Sequence, residues 1–184
     1  MSPLATLGRA LDRVVVASRQ QTVLRVALLV AGVGVVVLVR AAGGSPGTFT
    51  TVVLVILGLV AATVADSSAP LFFVLALGWL WAAEVPDVWS GWTLGAAALL
   101  TVVHVTSTLC GYGPPALQLP TRLLLVWASR AMVMLASAAL VWVAAGVLTT
   151  LELPPNRALV VAALALVGGW VGVLLSRLLS REAA

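Results

Sequence analysis

The stretch Thr22–Arg40, TVLRVALLVAGVGVVVLVR, decides the fold class of this chain. Apart from Arg25, every side chain between its ends is apolar or small. Arg40 and the turn Ala41-Ala42-Gly43-Gly44-Ser45-Pro46-Gly47 close the run. At about 1.5 Å per residue, a helix of this length matches the ~30 Å hydrocarbon core of a bilayer. A helix satisfies its own backbone N–H and C=O groups, so lipid tolerates it, and an unbroken apolar run of this kind reads as a membrane span.

The rest of the chain has the same character. Of its 184 residues 62% are hydrophobic and 9% charged, and the mean hydropathy is +1.17. Soluble domains carry about 25% charged residues, and a chain this apolar has too little polar surface to cover itself in water. The length suits one bundle with no separate soluble domain. The net charge of +4 rests on ten basic residues, all arginine, which flank apolar runs instead of forming one basic face. That distribution argues for membrane topology and against nucleic acid as a partner. The single cysteine, Cys110, excludes an internal disulfide and a cysteine-rich metal site. Ala, Val, Leu, Gly and Arg dominate and Lys is absent, the residue bias of a GC-rich genome, which points to a bacterial plasma membrane.

Six apolar stretches are predicted to span: Thr22–Val39, Thr48–Ala65, Ser67–Ala83, Trp89–Cys110, Arg122–Leu148 and Ala158–Ser176. Helix-breaking or capping segments separate them. Asp66-Ser67-Ser68-Ala69-Pro70 offers caps and a proline near a first helical turn. Glu84-Val85-Pro86-Asp87, Gly111-Tyr112-Gly113-Pro114-Pro115 and Leu153-Pro154-Pro155-Asn156-Arg157 cannot continue a helix. The expected architecture is therefore an all-α polytopic transmembrane helical bundle of six spans. It divides into a cytoplasmic amphipathic segment at 1–21, the bundle at 22–178 and a cytoplasmic tail at 179–184. In the first segment Leu4, Leu7, Leu11, Val14 and Val15 recur at helical spacing, with Arg9, Asp12 and Arg13 elsewhere on the wheel. This fits a short amphipathic helix on the membrane surface, or an extension of the first span. The long charged leader, the closing Arg40 and the lack of a small-residue cleavage site argue against a removed signal peptide.

Charge sets the orientation. With the N-terminus inside, Arg9, Arg13, Arg19, Arg25, Arg122, Arg177 and Arg181 fall on the cytoplasmic side and Arg130 nearer to it. Only Arg40 and Arg157 are then outside, so N-in and C-in is the orientation that the positive-inside rule selects. Trp79, Trp81, Trp89, Trp92 and Trp142 then lie near the outer interface, where amphipathic rings settle.

Ionisable residues inside lipid are costly and each needs a reason. Helix direction brings Asp66, His104 and Arg130 to one level in the inner half of the membrane, as a candidate polar cluster. Thr101, His104 and Thr108, at i, i+3 and i+7, make a polar stripe on one helix face. Gly58, Ala62 and Asp66 place the acid on a small-residue face suited to close helix contact. Imidazole titrates near neutrality, so the cluster fits a proton- or ligand-binding site. The structural alternative is that Arg130 snorkels to headgroups, Asp66 caps a helix and His104 fixes packing. No catalytic, cofactor or metal motif is found: there is no P-loop, zinc helix or nucleophile elbow. His104 and Cys110, six positions apart on one helix, point in different directions and make neither a metal pair nor a nucleophile pair. Glu84, Asp87 and Glu152 on the outer loops read as solvated.

The segment His104-Val105-Thr106-Ser107-Thr108-Leu109-Cys110-Gly111-Tyr112-Gly113-Pro114-Pro115 resembles one found in small multi-span membrane proteins of high-GC Gram-positive bacteria. In those proteins a helix carrying His runs into a Tyr-Gly-Pro-Pro turn. The resemblance covers the middle third of the chain and implies a bacterial plasma membrane, but no particular activity. Taken together, the sequence leads to a non-enzymatic structural or accessory subunit of a membrane assembly. The alternative is a small transporter or channel using Asp66, His104 and Arg130. The expected partners are the lipid bilayer and other membrane proteins, a second copy of the chain among them.

Overall fold

A computed structural model of the chain describes residues 18–87, 89–114, 116–150 and 168–169. Among them it has five helices: α1 (Arg19–Ala41), α2 (Thr48–Thr63), α3 (Ala69–Glu84), α4 (Trp92–Cys110) and α5 (Thr121–Thr150). The all-α class holds, but the expected six spans do not. Three helices are long and apolar enough to cross a membrane: α1, α4 and, within α5, Thr121–Ala144. The second and third predicted spans become α2 and α3, of 16 residues each. At helical rise these reach about 24 Å, short of a ~30 Å hydrocarbon core.

The shortening has a local cause. At the end of α2 the Thr63 hydroxyl donates to Leu59 O at 2.9 Å. Val64 then leaves the helical region with φ −123° and ψ 57°. Ala65 and Asp66 fall in a turn, where the Ser67 hydroxyl donates back to Val64 O at 2.7 Å. Hydropathy runs straight through Val64 and Ala65 and so gives no sign of the stop. The sixth predicted span lies outside the described residues except for Gly168 and Gly169, which are helical. The expected amphipathic helix lies outside them as far as residue 17.

The chain divides into two units, Met1–Ala131 and Met132–Ala184. In the second, the described residues are chiefly the remainder of α5, where the Ser137 hydroxyl donates to Val133 O at 2.7 Å. The first contains α1 to α4 and the opening turns of α5. In it α1 packs most extensively on α4 and α2 on α3. Gly44, just past α1, abuts Glu84 O at the end of α3, and Gly111, just past α4, abuts Ala65 O after α2. The helices therefore alternate in direction. One end gathers the start of α1, the 64–68 turn and the 111–120 segment; the other gathers the 42–47 and 85–91 turns.

Local chemistry fixes both ends of α1. At its start Ser18 Oγ accepts from Gln21 N at 3.3 Å. At its end Gly44 N donates to Val39 O and Gly43 N to Arg40 O, the paired bonds of a Schellman turn. That turn needs a left-handed residue, and Gly43 supplies it with φ +89°. Along the helix Gln21, Leu28, Gly32, Val35 and Val39 are buried. With half-buried Arg25 they step by three and four, the seam spacing of packed helices. The Phe73 ring of α3 fills the space left by Gly32 on α1 and Gly58 on α2. A Cβ built on either glycine would stand 2.6 Å or 3.0 Å from Phe73 Cζ, so only glycine admits the ring unmoved. The outward faces carry Val23, Val30, Val37, Leu71 and Leu75, each more than half exposed. This is the surface a lipid-facing helix presents.

Candidate polar cleft

At the end where α1 begins, the turns between helices leave an open cleft of about 730 Å³. Its wall includes Asp66 and Ser67 from the 64–68 turn, His104, Ser107 and Thr108 from the last turns of α4, and Tyr112 beyond them. The structure thus brings together two of the three residues expected to cluster. Asp66 is exposed in its turn and His104 is half-buried. Both stand in the wall of the same cavity.

The hydroxyls around His104 are occupied by backbone. Ser107 Oγ and Thr108 Oγ1 each donate to His104 O at 2.8 Å. Thr101 Oγ1 donates to Ala97 O at 2.7 Å and Thr106 Oγ1 to Val102 O at 2.6 Å. Such back-bonding to the preceding turn is how Ser and Thr satisfy themselves in an apolar helix. Thr108 therefore borders the cleft with its proton committed, and Thr101, a turn before His104, does not line it.

Arg130 goes elsewhere. Its guanidinium carbon stands 5.0 Å from the ring centroid of Trp127, one turn earlier on α5. That ring in turn meets Tyr112 edge-on, with centroids 6.0 Å apart. The cation thus lies over an indole face, and Arg130 is not in the cleft wall.

Arg25 borders an adjoining cavity and not the His104 cleft itself. A second cavity of about 390 Å³ shares Ala65, Asp66, Gly111 and Gly113 with the first and adds Arg25 and Cys110. Sequence reasoning counted Arg25 only as a positive-inside charge. Its place was nonetheless signalled: Gln21, Arg25, Leu28 and Gly32 are spaced by four, three and four, so a polar pair continues an apolar seam. Arg25 Nε and Nη1 are shut off from solvent and have no hydrogen-bond partner, and the same is true of both amide atoms of Gln21. Buried donors of this kind are rare because each forfeits its hydration. The Arg25 guanidinium lies beside the Cys110 thiol, a weak acceptor.

A polar clamp closes this end of the unit. Leu119 N donates to Gln20 Oε1 at 2.8 Å while Gln20 Nε2 donates to Leu119 O at 3.5 Å. Ser18 Oγ donates to Leu117 O at 3.3 Å. The segment that follows α4 is thus tied to the first turn of α1. At the opposite end Asp87 Oδ1 accepts from Trp89 N at 2.9 Å and so shapes the approach to α4. Among the described residues no group of three or more His, Cys, Asp and Glu is placed to hold a metal ion. The chain matches no protein-family model, no curated protein and no solved structure.

Proposed function

We propose that this chain is a multi-pass protein of a bacterial plasma membrane that takes a small polar solute or a proton into the Asp66–His104 cleft, as a small transporter or channel does. The observation that carries the reading is the meeting of Asp66 and His104 in one open cavity. A histidine kept only for packing is best sealed among apolar neighbours. Here His104 and Asp66 line one open cavity, and an imidazole and a carboxylate that share a cavity suit binding or relaying a proton. The positive-inside rule places this end, with Arg19, Arg25 and Arg122, in the cytoplasm together with the N-terminus. Arg177 and Arg181 assign the C-terminus to the same side by the same rule. The test is flux into liposomes holding a pH-sensitive dye or a labelled solute panel. His104→Ala and Asp66→Asn are expected to cut flux about tenfold or more, a barrier change of ~1.4 kcal/mol. Flux equal to that of the unaltered protein, in a variant that keeps its thermal midpoint, would overturn the reading.

A second reading, a non-enzymatic structural or accessory subunit of a membrane assembly, is favoured by α5. None of its residues from Thr121 to Ala144 is buried. A helix that leaves so much apolar surface uncovered finds its contacts in lipid or in another membrane protein. Purification in mild detergent distinguishes the two. A stoichiometric companion that is lost when Met132→Arg interrupts the exposed face of α5 supports the accessory role. Recovery of the chain by itself counts against it.

A further inference from the structure

We infer that the polar group admitted by the His104 cleft is the uncharged, hydroxyl-bearing head of an amphiphile, such as a monoacylglycerol or an alkyl glycoside, that enters sideways from the bilayer. The inference rests on the cleft being a binding site and adds the class of substrate and its route. Its first support is depth. Ser18 and Gln20 at the start of α1 are tied to Leu117 and Leu119. Asp66 instead borders the cavity of Arg25, seven positions beyond Ser18. At 1.5 Å per residue the 64–68 turn is thus recessed by about 10 Å from the start of α1. The helices that flank the turn, α2 and α3, have only 16 residues each. A bilayer thins beside spans this short, which brings lipid headgroups to the level of the cleft.

The second support is the mouth of the cleft. Leu71 stands in its wall and begins a series with Leu75 and Trp79 at i, i+4 and i+8 on α3, each more than half exposed. Gly78 shares that face, and a Cβ there would meet nothing within 4 Å. An open apolar track of about 12 Å therefore leaves the polar wall along α3. A molecule with a polar head and an apolar chain fits both parts at once. The third support is hydrogen bonding. Ser107 and Thr108 have given their hydroxyl protons to His104 O, so toward the cleft they only accept. Asp66 already has an interaction within the protein, and among the described residues no arginine lines the cleft. The wall thus offers acceptors and an imidazole, with no fixed cation for a phosphate and no spare carboxylate for an ammonium group. Alcohol O–H groups suit it, because each can donate to a wall oxygen and accept from an imidazole N–H. The volume of about 730 Å³ lies within the range of roughly 300 to 1,000 Å³ typical of ligand pockets, enough for a glycerol or sugar head.

The experiment uses the full chain in phosphatidylcholine nanodiscs that hold a trace of a monoacylglycerol with a photoactivatable diazirine at the head end of its acyl chain. After illumination the labelled peptides are mapped by mass spectrometry. Label is expected to concentrate at the start of α3, around Leu71, above the level on Val30 and Val37 of α1, which are as exposed. Unlabelled monoacylglycerol and dodecyl glucoside are expected to compete for it. Glycerol and glucose, which lack the chain, are expected not to compete, nor are dodecyl phosphate and dodecylammonium, which have charged heads. His104→Ala and Thr108→Val are each expected to lower the label at Leu71 about fivefold, the effect of losing one ordinary hydrogen bond. Thr108→Val keeps the shape of the side chain, so it tests the inference even where His104→Ala lowers folding yield. Label spread evenly over the exposed faces, competition by glycerol or glucose, equal competition by either charged amphiphile, or label at Leu71 that survives both substitutions overturns the inference. Flux into liposomes separates this from the proposed function. If the label is even while flux still depends on His104, the cleft keeps that function and only the amphiphile is wrong; if flux is also indifferent to His104→Ala, both fall.

Discussion

Single side chains set the helix spacing in this protein, and Phe73 is the clearest case. Its ring is buried against two glycines on two different helices, so the volume it fills cannot be recovered by a small local shift. Phe73→Ala is expected to cost about 3–5 kcal/mol, the range for emptying a large aromatic site in a core. Thermal or denaturant unfolding in mild detergent checks this, and a loss under ~1 kcal/mol would mean that α1, α2 and α3 close up freely around the gap. The glycines supply a paired comparison. A Cβ on Gly32 would come within 2.6 Å of the ring, whereas one on Gly78 would meet nothing within 4 Å. Gly32→Ala should therefore destabilise despite the higher helix propensity of alanine. Gly78→Ala should be neutral or gain up to about 1 kcal/mol. Equal effects of the two substitutions would contradict the packing described for Phe73.

Individual helices differ in how far their limits could be read beforehand. The run from Thr22 to Arg40 and its Gly-rich exit announced α1, because a membrane-length apolar stretch and a glycine C-cap are both local signals. The Thr63 end of α2 was hidden, because Val64 and Ala65 are as apolar as the helix before them and only their backbone angles end it. Half of the candidate site was legible for a related reason. Alternating helix directions bring Asp66 and His104 to one end, and direction follows from counting turns. Rotation about an axis does not. Arg130 was placed at the right end, yet it turns to Trp127, and Arg25 was passed over although the seam Gln21–Arg25–Leu28–Gly32 pointed it inward. The tie between Gln20 and the backbone of Leu119, 99 positions later, left no local trace at all. That clamp carries a prediction for α1 as an element. Gln20→Glu keeps the acceptor for Leu119 N but loses the donor to Leu119 O and sets a carboxylate against that carbonyl. A loss of about 1–3 kcal/mol is expected, together with faster proteolysis of the 111–120 segment. Gln20→Ala should do the same, and unchanged cleavage in both variants would show that the clamp does not order the segment.

At the scale of the whole molecule, the two ends of the α1–α4 unit differ in the chemistry that membranes distinguish. One end gathers Arg19, Arg25, Arg122 and the polar cleft. The other has Arg40 together with Trp79, Trp89 and Trp92, each about half exposed or more. Arginine is retained on the cytoplasmic side during insertion, and exposed indoles settle at an interface, so charge and aromatic placement argue for the same orientation. In the proposed orientation the cleft would open toward the cytoplasm, and a solute bound there would be drawn from that side or delivered to it. Accessibility of introduced thiols tests this directly. In a Cys110→Ser background, Ser45→Cys and Pro86→Cys occupy exposed turns at the tryptophan end, and Ser67→Cys an exposed turn at the arginine end. A membrane-impermeant maleimide added to intact cells is expected to label the first two and to reach Ser67→Cys only after the membrane is opened. The reverse pattern would invert the orientation and turn the cleft to the outside. Labelling of all three in intact cells would show that the unit does not separate two compartments, and a transport role for Asp66 and His104 would fall with it.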